Sequence, residues 1–314
     1  MTKQIAFIFP GQGSQYIGMG KEFYESFSMA REVFEEANDS LHFSISSLCF
    51  QGPEEALKLT ENTQPAVLTT SIAALKVFQN EKGMIPQLTA GHSLGEYSAL
   101  VASGALPFTD AVRIVRLRGR FMQEAVPVGE GAMAAILGME REEVEKLCQE
   151  AISGEVLSPA NFNCPGQIVI SGHSKAVQRA IERVKQEGKK AVLLPVSAPF
   201  HSPLMEPAGA RLEKELNGIP ISELKVPVVT NVEAEVNTNK ERVKALLVAQ
   251  VSNPVRWEQS MRRMIEEGIE RVLEIGPGKV LSGLMKRIDP KVETGNIEDL
   301  QTLKKISLKQ EQFS

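Results

Sequence analysis

The feature that most constrains the fold is a short apolar segment near the start of the chain, Ile5–Phe9, which shows no alternation and ends at Pro10-Gly11. A strand without a polar face is buried on both sides, as the strands of a parallel sheet are. A second strand candidate, residues 87–90, turns abruptly into a helix. Helical segments near residues 19–38 and 109–124 complete an alternation of strand and helix, which predicts an α/β fold with crossover connections.

The pattern changes after residues 127–130. The next segment, of about 70 residues, is predicted to run strand, helix, strand, strand, helix, strand, which is the ferredoxin-like plan. We therefore predict two domains: a large α/β domain made of residues 1–127 and 199–314, and a small ferredoxin-like domain of residues 128–198 inserted into it. The last segment, residues 295–314, is polar and is expected to fray.

Composition excludes several classes of function. The 35 basic and 39 acidic residues give a net charge of −4 and form no basic stripe, so no nucleic-acid partner is expected. The first apolar segment is too short for a signal peptide or a membrane span. Three cysteines without metal-like spacing fit a reducing compartment. We expect a cytoplasmic, monomeric protein that has no membrane partner, no metal and no cofactor.

The segment Gly91-His92-Ser93-Leu94-Gly95 fits the G-x-S-x-G pattern. The strand predicted before it and the helix predicted after it are the context that a nucleophile elbow needs. The sharp turn brings the residues two before and two after the serine together, so both must be small. It also presents the Ser93 hydroxyl and the Leu94 backbone N–H at a helix N-terminus, where partial positive charge favours an oxyanion. Ser93 is the predicted nucleophile, and the Leu94 N–H is a predicted oxyanion donor.

A serine nucleophile needs a base, and histidine is the usual one. The chain has four histidines: His42, His92, His173 and His201. His92 adjoins the nucleophile, but the turn points neighbouring side chains in different directions. His201 lies in a proline-bounded loop, residues 199–203, between the two predicted domains, and clefts form at such junctions. His201 is the predicted base, and a purely structural loop histidine is the competing interpretation.

A glycine-rich turn, Gly11-Gln12-Gly13-Ser14-Gln15, follows the first strand. It fails the dinucleotide fingerprint because Tyr16 stands at the last glycine position, and it fails the P-loop pattern because no Gly-Lys-Ser/Thr follows. Open α/β sheets bind ligands at the carboxyl ends of their strands. The Gln12 backbone N–H is therefore a candidate second oxyanion donor, unless the segment is only a tight turn.

One arginine lies on the wrong face of a predicted helix. Arg113, Arg116 and Arg120 share one side of the segment, whereas Arg118 falls in the middle of the apolar arc on the other side. Burying a guanidinium without a partner costs several kcal/mol. Either an internal carboxylate compensates Arg118, or a carboxylate of the substrate binds it in a bidentate manner.

Five motifs in register point to one family. In chain order they are Phe9-Pro10-Gly11-Gln12-Gly13-Ser14-Gln15, Gly91-His92-Ser93-Leu94-Gly95-Glu96, Ala160-Asn161-Phe162-Asn163-Cys164-Pro165-Gly166-Gln167, Pro199-Phe200-His201-Ser202 and Glu274-Ile275-Gly276-Pro277-Gly278. Together they resemble the malonyl-CoA:acyl carrier protein transacylases over about residues 4–290. Several motifs in the right order are far more specific than any one of them.

The resemblance implies an α/β-hydrolase-like large domain interrupted by the ferredoxin-like one. It also implies a Ser93–His201 dyad, and an oxyanion hole made by the backbone N–H groups of Gln12 and Leu94. Gln250 matches the position whose backbone carbonyl orients the histidine. A backbone carbonyl needs no particular side chain, so the Gln250 side chain carries no expectation.

Four further residues are implied on the substrate side. Arg118 matches the arginine that holds the free carboxylate of the malonyl group. Phe200 resembles the version of this loop that is associated with selection of malonyl over bulkier acyl groups. Asn161 and Asn163 lie near the cleft in the family, where their role is either binding or structural.

The resulting hypothesis is an acyltransferase of fatty acid biosynthesis with two partners, malonyl-CoA and acyl carrier protein. It would carry malonyl on Ser93 in a ping-pong reaction. A serine thioesterase or esterase fits the elbow and the histidine equally. Two features argue against it: the chain shows no convincing acid residue for a triad, and Arg118 lies on the apolar face of its helix. Two further hypotheses are a non-catalytic carrier-binding module and a stand-alone acyltransferase of a polyketide synthase.

Overall fold

The computed structural model describes residues 3–196 and 198–306. Over these residues ten strands form two sheets. The strands are β1 (Ile5–Phe9), β2 (Leu88–Gly91), β3 (Gly131–Leu137), β4 (Leu157–Cys164), β5 (Gln167–His173), β6 (Lys190–Leu193), β7 (Val228–Val229), β8 (Val236–Asn237), β9 (Arg271–Ile275) and β10 (Glu293–Ile297).

Helices surround both sheets. They are α1 (Lys21–Ser26), α2 (Ser28–Leu41), α3 (Ile45–Gln51), α4 (Glu54–Lys58), α5 (Thr60–Lys82), α6 (Gly95–Ala102), α7 (Phe108–Glu124), α8 (Arg141–Ala151), α9 (Ser174–Gln186), α10 (Glu206–Asn217), α11 (Lys240–Ser252), α12 (Trp257–Glu266), α13 (Val280–Ile288) and α14 (Leu300–Lys305). A short 3₁₀ turn, Pro203–Met205, precedes α10. Within the described ranges, no helix has both the length and the apolarity that crossing a membrane requires.

The larger sheet has the order β10-β9-β1-β2-β7-β8. Within this sheet the described pairs are parallel, except that β8 is antiparallel to β7. Its central strand β1 is apolar on both faces. Phe7 and Phe9 pack into one core cluster, and Ala6 and Ile8 pack into the cluster on the opposite face. The prediction of an α/β fold around a parallel sheet is confirmed. The carboxyl ends of β1, β2 and β7 meet at one edge of this sheet, where ligands are expected.

The smaller sheet lies within residues 131–193 and has the order β4-β5-β3-β6, with all pairs antiparallel. Helices α8 and α9 cover one of its faces. Its other face reaches the core of the larger sheet through residues such as Met133 and Val169. The chain passes between the sheets at Gly131 and Pro199, and a Cβ on Gly131 would overlap the Pro199 ring. These strands and helices fall inside the predicted small domain, whose boundaries themselves stay a prediction.

Two segments differ from the prediction. The helix expected near residues 19–38 is divided into α1 and α2, because the backbone is extended at Phe27 (φ −132°, ψ 124°). The expectation that residues 295–314 fray is wrong for their first part, where β10 pairs with β9 and Asp299 caps α14. Residues 307–314 lie outside the described part of the chain.

Candidate active site

The turn between β2 and α6 holds Ser93 in the left-handed region, with φ 52°. A Cβ on Gly91 would overlap the Gly95 carbonyl, and a Cβ on Gly95 would overlap the Phe9 carbonyl. Both glycines are therefore required by close backbone approach, for the steric reason expected of an elbow. Asn231 braces the turn: its Oδ1 accepts from the Ser93 N–H at 2.7 Å, and its Nδ2 donates to the Gly91 carbonyl at 2.7 Å.

His201 lies between Ser93 and Gln250 and is 3% exposed. Its Nε2 is 2.7 Å from Ser93 Oγ, and its Nδ1 is 2.8 Å from the Gln250 carbonyl oxygen. A carbonyl oxygen only accepts, so Nδ1 carries the proton and Nε2 is free to accept from the serine hydroxyl. Burial, with a smaller contribution from the Arg118 charge, lowers the pKa of His201 to about 3. The imidazole is thus neutral at rest, as a general base must be.

Arg118 projects from α7 into the same place and is 2% exposed. Its Nη1 donates to Gln64 Oε1 at 2.8 Å, and its Nη2 donates to Gln250 Oε1 at 2.9 Å and to Ser93 Oγ at 3.1 Å. Burial lowers the pKa of the guanidinium, but an arginine stays charged in proteins. No ion pair joins Arg118 to a carboxylate of residues 3–196 or 198–306. A directly bonded internal carboxylate, one of the two sequence-based explanations for Arg118, is therefore not found in these ranges. Glu96 still acts on Arg118 electrostatically, and the two are linked through Gln250.

The Gln250 side chain has a larger part than the sequence indicated. Besides accepting from Arg118, it donates from Nε2 to Glu96 Oε2 at 2.7 Å and to the Ser93 carbonyl at 3.0 Å. Gln250 therefore contacts Ser93, His201 and Arg118 at once. The backbone carbonyl was expected to contribute, whereas the amide contacts were not.

Two residues predicted to be backbone oxyanion donors line the cavity beside Ser93. They are Gln12, after β1, and Leu94, at the start of α6. In the described ranges neither backbone N–H donates to a protein acceptor. The Gln12 side chain is held by a hydrogen bond to Thr60 Oγ1 at 3.2 Å. Two free donors next to a nucleophile are the arrangement that stabilises a developing oxyanion.

The space in front of Ser93 is a cavity of about 120 Å³. Arg118 and Phe200 contribute to its wall, together with Met122, Met133 and Val196. An adjoining cavity of about 220 Å³ shares four wall residues with it: Gln12, His92, Asn161 and Leu194. We call the cavity at Ser93 the inner chamber and the adjoining cavity, which reaches α13, the outer chamber.

The two predicted asparagines both line the outer chamber. Asn161 also lines the inner one. His92 Nε2 donates to Asn163 Oδ1 at 2.9 Å, and its ring packs 5.5 Å from that of Trp257. His92 is thus bonded away from the nucleophile, and Asn163 has a structural partner.

Three polar residues of the site were missed from the sequence: Gln64, Glu96 and Asn231. Glu96 carries a signal that was available in the sequence, because it is the one charged residue of the mostly apolar helix α6. Gln64 and Asn231 carry none. Among residues 3–196 and 198–306, no three metal-ligating side chains come together.

Comparison with known proteins places this geometry in a family. A family model described as acyl transferase domain matches residues 6–303. The chain is 53% identical over 302 residues to the malonyl CoA-acyl carrier protein transacylase of Bacillus subtilis, covering 96% of this chain and 95% of that one. The relative of the same name in Escherichia coli K12 is 50% identical over 286 residues, which cover 91% of this chain and 93% of the relative.

Solved structures agree with the sequence relatives. The malonyl CoA-acyl carrier protein transacylase of Coxiella burnetii superposes with a TM-score of 0.94 at 44% identity, with 96% of each chain covered. The malonyl-transacylase of a complex with a type II polyketide synthase acyl-carrier protein has a TM-score of 0.93 at 45% identity, with 96% of this chain and 97% of that chain covered. The chain belongs to the acyl transferase domain family, and within it to the malonyl CoA-acyl carrier protein transacylases.

Proposed function

We propose that this protein transfers malonyl from coenzyme A to the pantetheine thiol of acyl carrier protein, through a malonyl ester on Ser93, and so supplies fatty acid biosynthesis. The names of its relatives support the substrate and the carrier. One observation carries the choice of acyl group: the buried Arg118 Nη2 lies 3.1 Å from Ser93 Oγ. A guanidinium at this distance from the nucleophile offers its charge to an acyl group that ends in a carboxylate.

The first half-reaction forms the malonyl ester. His201 Nε2 takes the proton of the Ser93 hydroxyl while Oγ attacks the thioester carbonyl carbon. The N–H groups of Gln12 and Leu94 stabilise the negative charge on the carbonyl oxygen, and losing one such donor typically costs about 2.7–4 kcal/mol. When the intermediate collapses, the carbon–sulfur bond breaks and His201 returns its proton to the leaving coenzyme A sulfur.

The second half-reaction runs the same steps in the opposite direction. The pantetheine thiol of the carrier protein replaces coenzyme A, and His201 takes the thiol proton as sulfur attacks the malonyl ester. The carbon–oxygen bond to Ser93 then breaks, and the proton returns to Oγ. The outer chamber, with Asn161 and Asn163 in its wall, is the proposed path for both thiol-bearing arms.

Selectivity comes from charge and size together. A malonyl carboxylate bound by Arg118 replaces water that the guanidinium has lost on burial. An acetyl group has no carboxylate and leaves the Arg118 charge unpaired. A site built to bind a polar group strongly rejects an analogue that lacks it, so acetyl-CoA should react more slowly than malonyl-CoA. Phe200, in the wall of the inner chamber, limits the size of the acyl group.

A single experiment tests the proposed function. After incubation with malonyl-CoA, intact mass spectrometry should detect a malonyl adduct that Ser93→Ala lacks, and S93A should lower transfer to carrier protein by about 10⁴-fold or more. A hydrolase would instead release free malonate without a persistent adduct. Unchanged transfer by S93A would reject the proposed chemistry and favour a carrier-binding module.

A polyketide synthase carrier is the second candidate acceptor. The observation in its favour is the 45% identity to the malonyl-transacylase solved with such a carrier. Rates of transfer to a fatty acid carrier and to a polyketide carrier, measured side by side, decide between the two acceptors. The chemistry on Ser93 is the same for both.

The setting of the protein also stays a proposal. We place it in the cytoplasm as a monomer, without nucleic-acid or membrane partners, metal or cofactor. Its three cysteines, all buried and unpaired, support a reducing compartment.

A further inference from the structure

A buried carboxylate that the proposed mechanism does not use lies three residues after the nucleophile. Glu96, in the first turn of α6, is 2% exposed. Its Oε2 accepts from Gln250 Nε2 at 2.7 Å and from the Asn231 backbone N–H at 3.1 Å. Burying a carboxyl group is costly, so its presence beside an active site calls for a function.

Glu96 accepts the shortest of the hydrogen bonds that orient the Gln250 amide, at 2.7 Å, and the Ser93 carbonyl accepts from the same nitrogen at 3.0 Å. The Glu96 oxygen that Gln250 meets is an acceptor, so the amide nitrogen must face it and the amide oxygen must face Arg118. If the amide were reversed, its NH₂ would lie against the guanidinium, two donors without an acceptor. Burial raises the pKa of Glu96 to about 7, and a neutral carboxyl still keeps a carbonyl oxygen that accepts.

The orientation of Gln250 in turn fixes Arg118. Arg118 Nη2 is the atom that reaches Ser93 Oγ, and Gln250 Oε1 is its other acceptor, at 2.9 Å. A chain of two hydrogen bonds therefore runs from Glu96 through the Gln250 amide to the guanidinium. Resting on the proposed function, we propose that Glu96 is a positioning residue that aims Arg118 at Ser93 and thereby sets the preference for acyl groups that carry a carboxylate.

A second buried glutamate in the same molecule provides a matched control. Glu274, on β9, is fully buried, and its two oxygens accept from the backbone N–H groups of Leu281 and Ser282 at the start of α13. It shares with Glu96 the burial and the backbone bonds. It has no hydrogen bond to Gln250 or Arg118 in the described ranges.

The experiment compares E96L, Q250L, the double variant and E96Q, with E274Q as control. Single-turnover acylation of Ser93 by malonyl-CoA and by acetyl-CoA is followed by intact mass, and the ratio of the two rate constants is the readout. A general loss of folding lowers both rates together and cancels in this ratio. Q250L keeps the backbone carbonyl that holds His201 and removes the amide, both its step in the chain and its bond to the Ser93 carbonyl.

The expected result is a loss of about tenfold or more in the malonyl-to-acetyl ratio for E96L and for Q250L. The double variant should lose no more than the larger single loss, because both substitutions break one chain. E96Q retains an acceptor oxygen and should stay within about threefold of the unmodified protein, as should E274Q.

Three results would overturn the inference. They are an unchanged ratio in E96L, multiplied losses in the double variant, and a loss in E96Q as large as that in E96L. The proposed function is judged separately, by whether the unmodified protein prefers malonyl-CoA to acetyl-CoA at all. If it does and E96L does not alter that preference, only the role of Glu96 is rejected.

Discussion

Arg118 and Arg120 lie two residues apart on α7, yet their charges are compensated in opposite ways. Arg120 lies on the outer face, where 43% of its side chain is exposed and its Nε bonds Glu61 Oε2 at 3.3 Å. Arg118 lies on the inner face and bonds two neutral amides and the nucleophile. Arg120 bonds a carboxylate directly although it is exposed, whereas the buried Arg118 reaches the Glu96 carboxylate only through the Gln250 amide.

The difference indicates where a ligand has most to contribute. An exposed ion pair is worth about 1 kcal/mol or less, because water already solvates both charges. The buried guanidinium of Arg118 has lost its water. It bonds amide and hydroxyl oxygens and lies 5.6 Å from the centre of the Tyr97 ring, but no carboxylate of the described residues bonds it directly. An incoming carboxylate at Arg118 therefore finds an unmet charge, whereas at Arg120 it would compete with Glu61 and with solvent.

Replacing Arg118, on the inner face of α7, by methionine should have the largest effect on acyl transfer. Arg118→Met removes the charge but keeps much of the volume. We expect malonylation of Ser93 to fall by about 10³-fold, and acetylation to fall much less, since acetyl has no carboxylate to lose a partner. The free energy of unfolding in urea should stay within about 1 kcal/mol of the unmodified value or rise. Equal loss for both acyl groups would make Arg118 a structural residue.

The next prediction concerns His201, whose burial next to Arg118 disfavours a second positive charge in the site. Its pKa is about 3 when folded, against the ordinary value of 6.5. Below about pH 6.5 the unfolded chain therefore binds a proton that the folded protein does not, and stability falls by up to about 1.4 kcal/mol per pH unit. His201→Asn lacks this proton, so its free energy of unfolding relative to the unmodified protein should rise by about 2 kcal/mol between about pH 7 and about pH 5.

Urea unfolding of both proteins at the two pH values measures this difference. Parallel pH dependence would mean that His201 is no harder to protonate in the folded protein than in the unfolded chain. Other titrating groups are common to the two proteins and cancel to first order.

The outer pair should give the smallest effect. Arg120→Ala and Glu61→Ala should each lower the free energy of unfolding by less than about 1 kcal/mol, with a coupling energy of a few tenths in the double variant. Malonyl transfer should stay within about twofold of the unmodified protein. A large change in acyl preference would contradict the division of α7 into a functional and a solvated face.

Local patterns predicted the parts of the site that are built locally. The elbow around Ser93 follows from five consecutive residues, and the position of Arg118 follows from the helical period of α7. β10 was missed because its sequence, Glu-Thr-Gly-Asn-Ile, lies at a sheet edge where only one residue is buried and no apolar run is needed. The break at Phe27 was missed because one extended residue leaves the helical pattern on both sides intact.

The hydrogen-bond network behind the nucleophile could not be predicted in the same way. Glu96 and Gln250 are 154 positions apart, and Ser93 and Asn231 are 138 apart. Such pairs become neighbours only when β2, β7 and α11 are placed together, and neither the spacing nor the residue types reveal the pairing. The resemblance to known transacylases supplied the Gln250 carbonyl, but not the contacts of its amide.

The wall shared by the inner and outer chambers has a consequence for the order in which substrates bind. Gln12, His92, Asn161 and Leu194 border both spaces. On the proposed reaction, the donor and acceptor arms both reach Ser93 past these residues, so each excludes the other while it is bound. A surplus of unloaded carrier protein should therefore compete with malonyl-CoA for the free enzyme and slow its consumption.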